Sequence, residues 1–369
     1  MNDYPIRVLQ IMGIVENGGV EAVIMNYYRH IDKSKVQFDF VMHNGSNANY
    51  IEEAKSMGAN VYEVTPYTKN IIKFTYEIYK VIKEGNYKIV HSNMNSLSGF
   101  SLFAAYLAGA KVRILHNHTT DSEAEGLRTK LKRLLRPFAK MFANQYWACS
   151  KLAGEWMYGK EAVKKNKVTV INNAIDLDKF AFNQDKREEL RKKLCLEEQF
   201  VVGHVGRFME PKNHEFLVDV FVEVAKQKDN AVLVLIGNGP LLDEIQNKVN
   251  KLHLTDRVRF LGVRNDVADL YNVMDVFILP SLYEGLPVVG VEVQANGLPF
   301  LCSENVTKEI VFSKVVKQLS LKIGVKQWAK NIVQMKNDVR FDTSSEVGSA
   351  GFDICVESKK MNKMFLSMK

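Results

Sequence analysis

Apolar and polar residues follow two alternating patterns along this chain. Short apolar runs such as Ile6–Met12 predict buried strands, and segments such as Ser98–Leu107, with apolar residues every three or four positions, predict helices. The two kinds of segment alternate from the start of the sequence. That alternation is typical of parallel sheets covered by helices on both faces, the α/β class.

The alternation occurs as two series. The first series contains five predicted strands: Ile6–Met12, Phe38–Met42, Val61–Val64, Ile89–His91 and Lys111–His116. A polar stretch from 176 to 199 separates it from a second series that opens at Phe200–Val205 and continues with a helical pattern over Asn213–Gln227, which Asn213 is expected to cap with its side chain. We therefore predict two doubly wound Rossmann-like domains facing each other across a cleft, one over residues 1–175 and one over residues 176–345. The tail 346–369 carries a helical pattern over Val356–Leu366, which could pack back on the first domain.

Two carboxylates follow a strand of the second series. Glu284 comes shortly after the apolar run Val276–Leu279, and Glu292 follows at the end of the apolar stretch Leu286–Val291. If a helix begins near Pro287, its first amides point back towards Glu284 and form a place for hydroxyls or anions. Carboxylates are good acceptors for sugar hydroxyls, so this segment is the strongest candidate for a binding site.

Glycines and cations end other strands. Gly206 and Arg207 follow Phe200–Val205, and Lys212 comes five residues later, so both cations could reach a diphosphate. Gly237 and Gly239 end the next strand without the third glycine of a dinucleotide fingerprint. In the first series Gly18 and Gly19 lie between a strand and a helix, where their amides could hold a phosphate. A surface ion pair and plain tight turns are the alternative explanations.

One histidine of the first series is a further candidate site residue. His118 follows a strand end and is a candidate cleft residue, but no HExxH or CxxC pattern accompanies it, so we predict no metal site.

We find no signal-peptide pattern and no long apolar run, and expect a cytoplasmic protein without a transmembrane helix. The net charge of +8 favours anionic partners.

One segment is both basic and amphipathic. Residues 127–143 contain no acid and six cations, with apolar residues at roughly helical spacing. The cations are Arg128, Lys130, Lys132, Arg133, Arg136 and Lys140. The stretch Arg128–Lys140 could lie on an anionic membrane surface, which would make the protein peripheral on the inner face of the membrane; a basic face on an ordinary surface helix is the alternative.

Together these motifs resemble those of the family 4 retaining glycosyltransferases, which have the GT-B fold. The resemblance covers most of the chain and is closest to bacterial enzymes that build capsular polysaccharide or exopolysaccharide. Its most specific part is the block from Glu284 through Glu292 to Gly297-Leu298-Pro299.

The resemblance implies that residues 1–175 form the acceptor-side domain and residues 176–345 the nucleotide-sugar-binding domain, and it implies a role for each motif. Arg207 and Lys212 would hold the diphosphate of a nucleotide sugar, Glu284 and the amides around Gly285 and Leu286 would bind the donor sugar, and Glu292 would bind the ribose. It further implies that Gly19, with Gly18, approaches the phosphates, that His118 contacts the sugar near the reacting carbon, and that Val263 and Arg264 lie near the base. Gly206, Gly237 and Gly239 complete the donor-binding set. No metal cofactor is implied; the nucleotide sugar, with UDP favoured, is a co-substrate, and the acceptor is a polysaccharide or a lipid-linked sugar, with no nucleic-acid partner.

The sequence departs from the family pattern in three places. Asn173 replaces a usual glycine, Gly290 and residues 293–296 replace the usual residues around Glu292, and the region after Cys302 lacks the usual glycine-rich loop. Two other functions stay open on sequence alone: a sugar-nucleotide epimerase of similar fold, and a non-catalytic nucleotide-sugar-binding protein.

Overall fold

The computed structural model describes residues 5–16, 18–119, 126–335 and 340–368, with the backbone alone for 126–132. The chain divides into two compact units. The first comprises Met1–Ala174 together with Ile354–Lys369, and the second comprises Ile175–Asp353. Each unit has its own parallel sheet with helices around it, so the predicted class of two parallel-sheet α/β domains is confirmed.

The first unit is built on a seven-stranded sheet in the order β3-β2-β1-β4-β5-β6-β7. Its strands are β1 Ile6–Ile11, β2 Val36–His43, β3 Val61–Val64, β4 Ile89–Ser92, β5 Val112–Asn117, β6 Gln145–Ala148 and β7 Thr169–Val170. Neighbouring strands are parallel, and Gln10 of β1 is in register with His91 of β4. The strand order reverses between β1 and β4, the place where ligands of such sheets bind.

Eight helices belong to the first unit in the described part of the chain. They are α1 Gly19–His30, α2 Ala48–Ser56, α3 Ile71–Glu84, α4 Ser98–Leu107, α5 Gly126–Phe142, α6 Lys151–Tyr158, α7 Lys160–Lys164 and, from the end of the chain, α16 Ile354–Ser367. Side-chain caps start several of them: Asn70 accepts from the Lys73 amide of α3, and Ser150 accepts from the Ala153 amide of α6.

The helix α16 packs on the sheet of the first unit. The Phe365 ring lies 5.7 Å from that of Phe38 and 5.5 Å from that of Trp147, and all three are buried. The second unit continues to Asp353, beyond the predicted end at 345, because Ile175 pairs with Asp353 at its margin.

The second unit has a six-stranded parallel sheet in the order β10-β9-β8-β11-β12-β13. Its strands are β8 Phe200–Val205, β9 Ala231–Ile236, β10 Val258–Phe260, β11 Val276–Leu279, β12 Phe300–Ser303 and β13 Val316–Leu319. Its helices are α8 Leu177–Phe180, α9 Gln184–Lys193, α10 His214–Ala225, α11 Leu242–Lys251, α12 Val267–Tyr271, α13 Val288–Ala295, α14 Gly324–Gln334 and α15 Ser344–Ser349. The order reverses between β8 and β11, which places a second expected ligand edge at the residues that follow these two strands.

One local expectation was wrong. Asn213 was expected to cap α10 with its side chain, and it does occupy the residue before that helix. Its backbone, however, is in the left-handed conformation, with φ 56° and ψ 48°, and its side chain makes no cap hydrogen bond. The Nδ2 group of the Asn213 side chain instead donates to the carbonyl of Pro280 at 3.1 Å, which ties α10 to the loop after β11.

Candidate active site

The second unit brings Lys212 and Glu284 together at the strand-order reversal. Lys212 follows β8 and Glu284 follows β11. The Leu282 amide donates to the carbonyl of Pro211 at 2.8 Å, so the two loops run side by side. The Lys212 ammonium donates to Oε1 of Glu284, and the Ser281 hydroxyl lies 3.1 Å from the same oxygen. Each of the two charged side chains is 17% exposed, so the pair is shielded yet reachable from solvent.

The glycine turns after β8, β9 and β10 form a continuous layer beside this pair. The amide of Gly206 donates to Ile236, that of Phe208 to Asn238, and that of Gly237 to Gly262, all at 2.8–2.9 Å. Arg207 lies in this layer and is exposed. These three amides hold the turns together, and the group that the layer presents to a diphosphate at the carboxyl edge of the sheet is the Arg207 guanidinium.

Close backbone approach explains two of the predicted glycines. A Cβ at Gly237, where φ is +138°, would lie 2.1 Å from the carbonyl oxygen of Gly206, and a Cβ at Gly239 would lie 2.4 Å from that of Phe208. Real Cβ atoms do not approach a carbonyl oxygen this closely. The turn after β9 can therefore contact the turn after β8 only because these positions lack a side chain.

Glu292 lies inside α13, where its carboxylate meets a phenol. The helix begins after Pro287, as predicted, and the Tyr271 hydroxyl donates to Oε2 of Glu292 at 2.7 Å. Burial raises the pKa of Glu292 to about 7, while the hydrogen bond from Tyr271 and the charge of Lys179 act in the opposite direction. Glu292 thus differs from Glu284, whose partner is a full positive charge.

The remaining predicted donor residues of this unit lie at its rim or in its core. Val263 is 50% exposed after β10. Arg264 beside it pairs with Asp266 through two contacts of 2.6 and 2.8 Å. The Leu286 side chain is buried in the core, so only its backbone could meet a ligand, and Gly285 precedes it at partial exposure.

Two buried histidines lie beneath the turn after β8 and were not anticipated from sequence as site residues. The Nδ1 atom of His204 lies 2.8 Å from the carbonyl oxygen of Ile278, and the His214 ring stacks on Phe208. Burial lowers the pKa of His204 to about 4, so this ring is neutral near pH 7. Positive charge at this edge therefore comes from Arg207 and Lys212, not from the histidines.

In the first unit, the start of α1 lies at the carboxyl end of β1. Gly18 is the residue before the helix and Gly19 its first residue, and both are exposed. Glu21 is in the first turn, and one of its carboxylate oxygens would lie 2.4 Å from a Cβ placed on Gly18. An acidic side chain therefore lies at this helix start, where a phosphate would have to displace it.

His118 follows β5 and is held by two asparagines. Its Nε2 lies 3.0 Å from Oδ1 of Asn93, and its backbone amide donates to Oδ1 of Asn95 at 2.7 Å. Because the Asn93 amide group donates to Gln10, its oxygen faces His118, so Nε2 carries the proton and Nδ1 keeps its lone pair. Burial lowers the pKa of His118 to about 3, so the ring is neutral near pH 7 and does not act as an acid. Its Nδ1 atom is buried and has no hydrogen-bond partner among the described residues.

The basic helix α5 presents apolar side chains to solvent. Leu134 is 75% exposed and Met141 71% exposed. Arg133 is also exposed, whereas Arg136 donates to the carbonyl of Trp156 and lies over its ring, so its charge is turned towards the unit. The structure describes only part of the predicted surface Arg128–Lys140, since the side chains of Arg128, Lys130 and Lys132 lie outside the described residues.

The described residues show neither a metal-binding cluster nor a membrane-spanning helix. Across 5–16, 18–119, 126–335 and 340–368, no group of three or more His, Cys, Asp or Glu residues is arranged to hold a metal ion. In the same ranges, no helix combines the length and the apolar character that crossing a membrane requires.

Comparison with known sequences covers both units. Residues 17–179 match the sequence model of the family described as Glycosyltransferase Family 4, and residues 185–344 match the one described as Glycosyl transferases group 1. The chain is 36% identical over 341 residues to the putative glycosyltransferase EpsF of Bacillus subtilis, covering 90% of this chain and 88% of the relative.

Two further proteins are similar over most of their length. A galactosyltransferase of Escherichia coli, named as UDP-Gal:alpha-D-GlcNAc-diphosphoundecaprenol alpha-1,3-galactosyltransferase, is 27% identical over 80% of this chain and 78% of its own. The crystal structure of HepE from Anabaena in complex with UDP-glucose superposes with a TM-score of 0.79, at 18% identity, over 98% of this chain and 99% of that one.

The level of identity and the coverage of the EpsF comparison show the family, and the structural likeness shows the fold. The resemblance inferred from the Glu284–Glu292 block and the glycine turns is thereby confirmed. The chain is a glycosyltransferase that belongs to family 4 and has the GT-B fold.

Proposed function

We propose that this enzyme moves a hexosyl or N-acetylhexosaminyl unit from a UDP-linked donor to a lipid-linked precursor of a surface polysaccharide, with retention of configuration. The observation that carries the proposal is the contact of Lys212 with Glu284 beside Arg207 and the glycine turns. A cation and a carboxylate in one place suit a donor that has a diphosphate on one side and sugar hydroxyls on the other.

The charge arrangement supports the assignment of the diphosphate. Arg207 and Lys212 are two cations at the carboxyl edge of the sheet, held beside glycine turns that their own backbone hydrogen bonds fix in place. Negative charge develops on the nucleotide diphosphate as its bond to the sugar breaks, and fixed cations stabilise that charge without any rearrangement. We assign this role to Arg207 and Lys212, so that the reaction proceeds without a metal ion.

The state of Glu284 favours retention by front-face substitution. Its Oε1 accepts hydrogen bonds from Lys212 and Ser281, which makes that oxygen a weak nucleophile and leaves Oε2 as the acceptor for a sugar hydroxyl. In front-face substitution the acceptor oxygen bonds to the anomeric carbon on the side from which the diphosphate leaves. The acceptor proton passes to the departing phosphate oxygen, so no protein base is needed.

One buried ring nitrogen of the first unit, Nδ1 of His118, has no hydrogen-bond partner among the described residues. His118 is neutral, and Nδ1 keeps its lone pair because Asn93 engages Nε2. We therefore propose that His118 orients a sugar hydroxyl and transfers no proton. The choice of UDP and of a lipid-linked acceptor is supported by the printed substrates of the Escherichia coli relative and by the UDP-glucose in HepE.

The donor is testable by thermal unfolding. A nucleotide sugar that binds the folded protein raises its free energy of unfolding, by about 2.7 kcal/mol at a concentration of 100 times Kd, and its melting temperature rises with it. We expect one UDP-linked hexose or N-acetylhexosamine to give the largest rise. Matched samples of Glu284→Ala, whose own melting temperature serves as the reference, are expected to show a much smaller rise with the same sugar. A panel in which no nucleotide sugar stabilises the wild-type protein would contradict the proposed donor class.

A lipid-linked acceptor implies contact with a membrane, and α5 has the chemistry for it. We expect salt-sensitive binding to vesicles that contain phosphatidylglycerol and weak binding to vesicles of phosphatidylcholine alone. Replacing Leu134 and Met141 by serine and Arg133 and Lys140 by glutamine should lower vesicle binding about tenfold or more, because each cation near an anionic surface contributes about 1 kcal/mol.

A matched control for this experiment comes from another face of the first unit. Ile72 and Tyr76 of α3 are 80% and 59% exposed, and replacing both by serine, with Lys73 and Lys80 replaced by glutamine, removes the same number of apolar and basic groups. Those changes should leave vesicle binding unchanged. Equal binding of the α5 variant and the wild type in a sedimentation assay would remove the membrane from the proposed partners.

A further inference from the structure

A buried phenol lies behind the predicted ribose ligand. Tyr271 is the last residue of α12 and is 0% exposed, and its ring packs against Phe180 and Phe277 at centroid distances of 6.2 and 5.9 Å. Its hydroxyl donates to Oε2 of Glu292 at 2.7 Å. The hydrogen bond joins residues of different helices, 21 positions apart, and is held in place by the packing of the ring.

This contact fixes both the orientation and the charge of the Glu292 carboxylate. With Oε2 engaged by a donor that cannot move, the carboxylate plane is set and Oε1 is presented on its other side. Two titratable groups act on this carboxyl: the Tyr271 phenol from α12 and the Lys179 ammonium from α8. Both favour its charged form, against the burial that raises its pKa to about 7.

We propose that Tyr271 is a positioning residue for donor binding: it holds Glu292 charged and oriented so that Oε1 accepts the hydroxyls of the nucleotide ribose. The proposal rests on the proposed function and on the ribose role that the family resemblance implies for Glu292, and it adds the residue that makes that role effective. Tyr271 itself does not touch the nucleotide. A purely structural Tyr271 would pack the core without any effect specific to the ribose.

The pH dependence follows from the charged form that the ribose requires. The Glu292 pKa lies above its ordinary value, so the fully charged carboxylate is present above about pH 7 and is lost below it. Affinity for UDP should therefore be highest above pH 7 and should fall as the pH drops through 7. Loss of the Tyr271 hydrogen bond raises the Glu292 pKa further, so the same curve should move to higher pH.

The test compares Tyr271→Phe with the wild-type enzyme by calorimetric titration of UDP across this pH range. Phenylalanine keeps the ring and removes the hydroxyl. We expect Kd for UDP to rise about tenfold near pH 7, the effect of losing one hydrogen bond to a charged group. We also expect the pH midpoint to move upwards, and KM for the donor to change more than kcat.

A nucleotide without ribose hydroxyls separates positioning from packing. With 2′,3′-dideoxy-UDP, wild type and Tyr271→Phe should bind equally, because Glu292 then has nothing to accept. Tyr158→Phe is the matched control: Tyr158 is also a buried tyrosine, its hydroxyl donates to backbone carbonyls in the first unit, and its loss should leave UDP affinity unchanged. Melting temperatures of all variants verify folding.

Glu292→Gln distinguishes failure of this inference from failure of the proposed function. If Glu292→Gln weakens UDP binding while Tyr271→Phe does not, the positioning role is overturned and the ribose site stands. The role is also overturned if Tyr271→Phe weakens UDP and its dideoxy analogue equally. If Glu292→Gln leaves UDP affinity unchanged, the ribose assignment itself is wrong.

Discussion

Replacing Lys212 by alanine is expected to lower the rate of sugar transfer by about 100-fold or more. The ammonium of Lys212 is fixed by Glu284 at the edge where the leaving diphosphate is placed, and loss of one such fixed charge donor typically costs two to three orders of magnitude in turnover. The substitution also leaves Glu284 without its cation. Steady-state assay of nucleotide release in the presence of acceptor measures the effect.

A second lysine serves as the control for this experiment. Lys226 is at the end of α10 in the same unit, its side chain is 64% exposed, and it pairs with Glu223 at 2.6 Å. Lys226→Ala removes the same group from a surface ion pair, which contributes little, and should leave the rate unchanged. An unaltered rate in Lys212→Ala, with the melting temperature preserved, would remove Lys212 from the catalytic set.

Replacing Gly237 by alanine is expected to destabilise the second unit by about 2–4 kcal/mol and to abolish the stabilisation by UDP. The backbone there has φ +138°, and a Cβ would lie 2.1 Å from the carbonyl oxygen of Gly206. Backbone strain of this kind costs about 1–3 kcal/mol, and overpacking costs a similar amount. Because the clash moves the turn after β8, Arg207 would move with it. Chemical denaturation with and without UDP measures both effects.

The variant Gly109→Ala is the control that separates the cost of a positive φ from the cost of the Cβ clash at Gly237. The φ of Gly109 is +83°, but a Cβ there meets nothing within 4 Å, and it lies in the first unit. Gly109→Ala should therefore cost about 1 kcal/mol and leave the response to UDP intact. If Gly237→Ala lost no more stability than Gly109→Ala and still responded to UDP, the close contact between the two turns would have no part in donor binding.

Much of the fold follows from the periodicity of apolar residues. The helix Ser98–Leu107 has the predicted bounds, and the strand predicted at Ile6–Met12 is one residue shorter in the structure. These segments have strong patterns because they cover or form the sheet interior. The helix start after Pro287 was predictable for a different reason. The fixed φ of proline suits a helix start, and its missing N–H costs nothing there because the first amides of a helix have no partner within the helix.

The far edge of the second sheet was not predicted. The strand Val316–Leu319 is four residues long and contains Lys317 and Gln318, so it shows no apolar run. It exists because Phe300–Ser303 pairs with it along its whole length, an interaction between segments that sequence periodicity does not register. The cap expected from Asn213 failed for a related reason, because its side chain bonds to a distant loop.

In the candidate site, residue types were predictable and partners were not. Gly206, Arg207, Lys212, Glu284 and Glu292 could be singled out because they follow strand ends. Tyr271 and Asn93 could not, since nothing in the local sequence marks a buried tyrosine or a short asparagine as the partner of a residue more than 20 positions away. These partners set the charge of Glu292 and the tautomer of His118, which decide what each group can do.

The most direct test of the account is transfer of a labelled sugar to a defined acceptor. The enzyme is incubated with the UDP-sugar that stabilises it and with a sugar-diphospho-polyprenol, and the lipid product is isolated and its new glycosidic bond examined by NMR. We predict a product that is one sugar longer and has the anomeric configuration of the donor. The wild type and Lys226→Ala should form it, and it should be nearly absent with Lys212→Ala. Donor that is isomerised or hydrolysed at the same rate without acceptor, or a product of inverted configuration, would contradict it.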